Sequence, residues 1–406
     1  MVVLCWRCVL AAPHRMLFSA GFLQALCAAG WWLMVLLLRS HADSSAGWWG
    51  MSWAHPVMME YGIFPSFIFG FLLTTFPAWL NEPAIEPVRV LPVALLISFG
   101  GLLCYGGMAA AGWVLLVGLV LILAGWLLAA GLLWQVLFHT RRAARPVDRR
   151  HAWAAGAGIL GGAGGLLSVV LWMLTQRPFW LELARVAGVW FFLLPVFMTV
   201  SHRMIPFFSS RVLKDYGVVR PYALLWVMLA GSVGHGLLTL WHVTPLIGDA
   251  PLFACAAYLS WQWRWWRSFS VSLLAVLHVG FLWLVCGMAL FVWQDMGKWF
   301  AWPDIGLAPL HAVTLGFFFS MLMGMVSRVS LGHSGRPLHL ARTDYVLFWM
   351  MQAVALTRVL ADCLPVGVAR QDMYGLAAGV WLLVLVVWAM RFMPMYWQVR
   401  VDGKPG

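Results

Sequence analysis

An all-α, polytopic membrane bundle of about twelve transmembrane helices is the fold class this sequence predicts. Three observations carry it. The chain is 63% hydrophobic and only 10% charged, where a soluble globular chain carries about 25% charged residues. Its mean hydropathy is +0.87. Apolar runs of about 20 residues, the length that spans a bilayer, recur from one end to the other.

In chain order the runs lie near 16–38, 57–80, 88–110, 112–138, 152–174, 181–205, 221–242, 250–266, 270–293, 305–329, 343–361 and 374–393. The first, Met16 to Leu38, spans by itself and has no small-residue cleavage site behind it. It therefore reads as a permanent helix and not as a cleaved signal peptide. Proline and glycine inside several runs are tolerable because neighbouring helices re-satisfy the freed backbone groups. The longest connection, around 139–151, is a short arginine-rich loop, so residues 1–406 read as a single integral membrane domain. No repeat divides the helices into two matching halves, which argues against an inverted-repeat transporter.

The net charge of +12 raises the question of nucleic acid, and its distribution answers it. With the N-terminus inside, the inward loops hold "HTRRAARPVDRRHA", "SSRVLKDYGVVR", "WRWWR" and "GHSGRPLHLARTD". Roughly 20 of the 26 Lys and Arg fall on that side, the positive-inside bias of a multi-pass membrane protein. Both termini are then cytoplasmic, and no nucleic acid is needed to explain the basic balance.

The seven cysteines are scattered, mostly inside apolar runs, which argues against a disulfide framework. "CWRC" (Cys5 to Cys8) has C-x-x-C spacing, but no histidine follows, so it is not a c-type haem attachment site. Two unrelated thiols is the expectation. "GAGILG" (Gly156 to Gly161) fits the dinucleotide pattern but lies inside a span with no preceding strand. Gly158 with Gly162, and Gly161 with Gly165, read instead as small-residue surfaces where helices pack closely. Most of the 28 Trp, as in "GWWGMSW" and "WQWRWWR", read as interfacial anchors or packing.

The twelve histidines sort by depth. His14, His139, His151, His333 and His339 fall in cytoplasmic segments, His202 at the inner end of the sixth helix and His41 in an outer loop; solvation is the expectation for these. Five differ. His55 enters the second helix from the outer face, His235 lies in the outer half of the seventh and His242 at its outer end. His278 falls near the middle of the ninth. His311 sits in the outer half of the tenth, roughly 9 Å from the helix centre at 1.5 Å per residue. Imidazoles from several helices, mostly in one half of the membrane, suit a haem or a metal, neutral imidazole being the usual ligand of haem iron and copper. Each taken alone is equally a polar residue bonded to a neighbouring helix. His235 and His242 are seven apart, about 10 Å along one face, so one ion cannot bind both. Glu60, one turn from His55, is the only acid clearly inside a span and away from its ends; it either serves His55, carries protons or faces the interface. Met321, Met323 and Met325 read as packing.

"LHAVTLGFFFSMLMGMVSRVSLGHSGRPL" (310–338) resembles the most characteristic stretch of the NnrS family, which reads LHAxTxG and then TRxSLGHxGRPL. "FGFLLTTFPAWL" (69–80), "RMIPFFSSRVL" (203–213) and "LHVGFLWLVCGMAL" (277–290) agree in order, so the resemblance samples nearly the whole chain. It implies a bacterial inner-membrane protein containing haem and copper, tied to denitrification and the response to nitric oxide. His278, His311, His333, Arg203, Arg328 and Arg336 match family motifs. His55 corresponds to the first histidine of a W-H-x-H-E segment, but Val57 and Met58 stand where the second histidine and the glutamate usually are. That departure puts copper chemistry needing both imidazoles in doubt. A more distant resemblance is to the haem–copper oxidase core, whose haem ligands lie on helices two and ten, where His55 and His311 fall by count.

The resulting expectation is a haem protein, b-type, with His311 as axial ligand, His55 opposite, and His278 and His235 as second-site candidates for copper or another haem. Arg203, Arg328, His333 and Arg336 either neutralise an anionic group or pair with headgroups. Such a protein binds or processes nitric oxide; its electron donor is not legible. A cofactor-free transporter and a sensor or assembly partner of a denitrification complex are the alternatives.

Overall fold

The computed structural model describes residues 5–39, 52–139 and 147–403; His41, most of "GWWGMSW" and the arginines of 140–146 lie outside them. The described residues are predominantly helical, with no strand among them, and form an all-α polytopic bundle. Eleven helices are long and apolar enough to cross a membrane. They are α1 (Pro13–Leu38), α2 (Ala54–Leu80), α3 (Pro87–Ala110), α4 (Gly112–His139), α5 (Arg150–Thr175) and α6 (Pro178–Val212). After these come α7 (Tyr222–Leu240), α9 (Ser272–Phe300), α10 (Ala308–His333), α11 (Arg342–Cys363) and α12 (Val368–Trp397). Between α7 and α9 lies α8 (Leu246–Gln262), whose 17 residues span about 26 Å, just short of a bilayer core. The run at 250–266 thus starts and stops four residues early, because Asp249 finds a buried partner and the chain turns at Trp263 into a short 3₁₀ segment, Trp265–Ser270.

Helices generally outrun the apolar stretches that announce them. α1 begins at Pro13, α5 at Arg150, and α6 continues to Val212. His14, His151 and His202 are consequently buried, not solvated. The His202 Nε2–H donates to the Pro221 carbonyl at 3.2 Å, a bond that lets an imidazole leave water.

Three spans carry a π-helical stretch after a first α-helical piece: Met58–Ile63 in α2, Ala187–Leu193 in α6 and Ala312–Phe319 in α10. His55 and His311 each sit in the four-residue piece that leads into one of them. Such widened turns re-aim side chains and recur at functional sites.

Contacts group the chain into two compact units. The first contains the described residues through Phe192, with Val329–Pro337 and the stretch from Leu385 onward. Its core is aromatic: Phe22 packs on Phe67 and Trp388, and Trp126 lies between Phe69 and Phe192 while donating its indole N–H to the Ile159 carbonyl at 2.9 Å. The glycines of α5 act as close-packing surfaces, since a Cβ on Gly161 would meet the Phe191 carbonyl and one on Gly162 the Trp126 ring. Arg15 pins the two ends of the chain together, donating to the carbonyls of Cys8 (3.2 Å) and Gln398 (2.8 Å).

The second unit, Leu193–Arg328 with Leu338–Val384, is centred on Trp263, Phe281 and Phe317. Gln352 is its polar tie: the Trp283 indole donates to Oε1 at 2.7 Å, and Nε2 donates to Ser320 at 2.9 Å. Exposed tryptophans stand near helix ends, Trp113 opening α4, Trp241 following α7 and Trp299 closing α9, as interfacial anchors do.

Candidate functional site

α10 delivers His311 into the second unit 9% exposed, among Ala308, Ala312 and Val359, with Trp283, Leu290 and Ile305 around them. The ring is oriented from one side. Nδ1 lies 2.9 Å from Asp362 Oδ2 on α11 and 3.0 Å from the Leu307 carbonyl. Both neighbours are acceptors, so Nδ1 carries the proton, and neither bond engages Nε2. Asp362 is fully buried and heavily partnered. Tyr374 donates to its Oδ1 at 2.6 Å, Arg358 forms an ion pair with the same oxygen at 2.5 Å, and Arg370 reaches it at 3.5 Å. Arg358 also lies 3.9 Å over the Tyr374 ring. A carboxylate with so many donors stays ionised and fixes the imidazole tautomer, an arrangement that recurs behind metal-bound histidines.

A second histidine–carboxylate pair stands on α7 and α8. His235 Nδ1–H donates to Asp249 Oδ1 at 2.7 Å, with the histidine 6% and the acid 0% exposed at the side chain. The His235 ring meets Phe291 of α9 edge-on at 5.0 Å, while α10 reaches α9 at Gly287 beside Ala312 and Val313. His235 and His311 therefore share a depth in the second unit.

His278 does not. α9 runs on to Phe300, so this residue lies two turns from the helix start, at the level of Gly280 and Met321 and not at mid-helix. That places it about 15 Å from the depth of His311, too far for one ion to join them. Its Nε2 is 3.1 Å from the Ser209 hydroxyl. His242 follows the end of α7 in a left-handed conformation (φ 56°), exposed beside the loop.

His55 belongs to the first unit, its ring stacked on Trp32 at 3.7 Å. The four motif residues at the opposite helix ends divide between the units. Arg328, with Arg203 in the same unit, packs its guanidinium 3.8 Å over Phe208. His333 and Arg336 fall in the first unit, where the His333 ring lies 4.5 Å from His14 and Arg336 donates to Gln398 at 3.1 Å.

The donor sets separate the two groups the resemblance implies. Among the described residues no three His, Cys, Asp or Glu side chains come together to hold a metal ion, so a copper centre of three such ligands does not fit. A haem iron needs one well-oriented imidazole, and His311 supplies that chemistry.

Asp362, Asp249 and their partners were hidden by boundaries. Runs ending at 361 and beginning at 250 each miss the acid by one residue, and one ending at 293 misses the buried Asp295. Glu60 is thus one of several acids inside helices, not alone. Arg358 and Asp362, four apart, were the available signal.

Buried histidine–carboxylate pairs inside a polytopic helical bundle define an integral membrane protein with polarised imidazoles in its interior. The family model for "NnrS protein" matches residues 8–400, nearly the whole chain, and the chain belongs to the NnrS family. Membership supports a membrane protein of the nitric oxide response. No curated protein matches the chain.

Proposed function

We propose that the chain is a haem-containing protein of the bacterial inner membrane that binds or processes nitric oxide or nitrosyl species and so protects against nitrosative stress in denitrification-type metabolism. His311 would hold the haem iron, and the observation supporting this reading is its Nδ1–H held by Asp362 and Leu307, which leaves Nε2 for a ligand role. Ferrous haem binds nitric oxide directly, and that is the chemistry the group supplies when bound.

The chain's own residues do the rest. Asp362 holds the imidazole in one tautomer and makes it a stronger donor. Tyr374, Arg358 and Arg370 keep that carboxylate in place and ionised. Ala308, Ala312 and Val359, with Trp283, Leu290 and Ile305 packed against them, exclude water from this part of the unit. His55 is carried over as the second ligand candidate, and copper as a further cofactor with no assigned site. The positive-inside bias supports cytoplasmic termini.

Reduced-minus-oxidised spectra with and without nitric oxide, together with iron quantification, test the proposal. Purified protein should show a Soret band that shifts with nitric oxide and disappears or moves in His311→Ala. Colourless, iron-free protein from haem-replete cells overturns it.

A further inference from the structure

We propose that Glu60 is a proton-binding site within the membrane-spanning part of the first unit, held as the neutral acid and able to release and regain its proton. The carboxyl is 7% exposed, and its Oε2 has no hydrogen-bond partner among the described residues. It lies in the π-helical turn Met58–Ile63 of α2 and faces Gly188 in the π-helical stretch Ala187–Leu193 of α6. A Cβ on Gly188 would collide with Oε2, so the glycine is what admits the acid.

The neighbours do not neutralise it. Tyr61 spends its hydroxyl proton on the Ala184 carbonyl at 2.5 Å. Arg185, one residue on, is the charged group whose field reaches Glu60, yet no ion pair joins the two. On the far side of the turn, the Tyr105 hydroxyl approaches Gly62. An ionised carboxylate buried without a partner is costly, and protonation is the cheapest relief.

The ligand is the proton and not a metal cation. Calcium or magnesium takes six or more oxygen donors, and no trio of acidic, His or Cys side chains forms among the described residues. The exchange is Glu60–COOH to Glu60–COO⁻ plus H⁺, the proton passing to water, with no other bond changed. Two widened turns meet at this one acid, and such turns recur at functional sites.

Infrared difference spectra of full-length wild type and Glu60→Gln in lipid at neutral pH decide it. The expected result is a carboxylic-acid C=O band in wild type that shifts in deuterated water and is lost in the variant. Loss of carboxylate stretching bands instead overturns the proposal. Should Glu60→Gln not fold, Glu60→Asp serves: the acid band then moves in frequency, whereas a shift confined to the carboxylate bands overturns it. Haem content does not enter this measurement, so its failure and that of the haem reading are separable.

Discussion

His311 and Asp362 face each other across 2.9 Å, an imidazole N–H on α10 against a fully buried carboxylate on α11. The acid is also the anchor of Arg358, Arg370 and Tyr374, so it links ring orientation to local charge balance. Asp362→Asn keeps the size and an acceptor oxygen but removes the charge. Loss of such a partner lowers metal affinity about 10–100-fold, so on the haem reading proposed above haem retention should fall by that order. The reduction potential of the haem that remains should rise, because a less polarised imidazole donates less to ferric iron. A merely structural aspartate would leave the potential where it was, and redox titration distinguishes the two.

His235 and Asp249 form the second pair, and here the single and double substitutions should part company. His235→Leu leaves a fully buried carboxylate without its donor, costing about 3 kcal/mol. Asp249→Leu leaves no buried carboxylate and costs less. Combining the two replaces the pair by apolar side chains and should recover part of the loss. Unfolding in mild detergent across this double-mutant cycle reads the coupling; strict additivity would show that the pair contributes nothing.

Hydrophobic periods made the helices legible, and helix ends hid the chemistry. Apolar runs place every span because a lipid-facing helix must be apolar over its lipid-exposed length. They say nothing of how far a helix continues once its polar residues find partners inside the protein. Asp362, Asp249 and Asp295 each sit just beyond a run, in helical turns the runs do not announce. His311 was legible as a titratable ring in an apolar stretch. Its partner was not, since it comes from the far end of another helix. The separation of His278 from His311 was also invisible, because depth depends on where α9 actually stops.

α3 and α4 meet through reciprocal glycines. A Cβ on Gly100 would stand 2.7 Å from the Gly118 carbonyl oxygen, and one on Gly118 would stand 2.6 Å from the Gly100 carbonyl oxygen. Backbone cannot yield as a side chain can, so Gly118→Ala should force the helices apart and destabilise the first unit by about 1–3 kcal/mol. Gly131→Ala on the same α4 meets nothing within 4 Å and should be close to neutral. Thermal unfolding of the two variants side by side checks the contrast; equal behaviour would contradict the close approach.

Cys5 and Cys8 differ in a way that alkylation can read. A hydrogen bond from the Cys8 thiol lowers the pKa of Cys5 below the ordinary thiol value, while burial raises that of Cys8. The sign follows directly: a depressed pKa means thiolate persists as pH falls through the usual thiol range, and a raised one means it is absent until well above that range. The thiolate is the reactive species, so iodoacetamide should modify Cys5 ahead of Cys8 at neutral pH, with the Cys8 rate climbing only in alkali. Cys8→Ser keeps a hydroxyl donor and should largely preserve Cys5 reactivity, whereas Cys8→Ala should slow it at neutral pH by raising the Cys5 pKa. Peptide mass mapping of timed alkylation gives both rates, and equal labelling of the two cysteines would contradict the hydrogen-bonded arrangement.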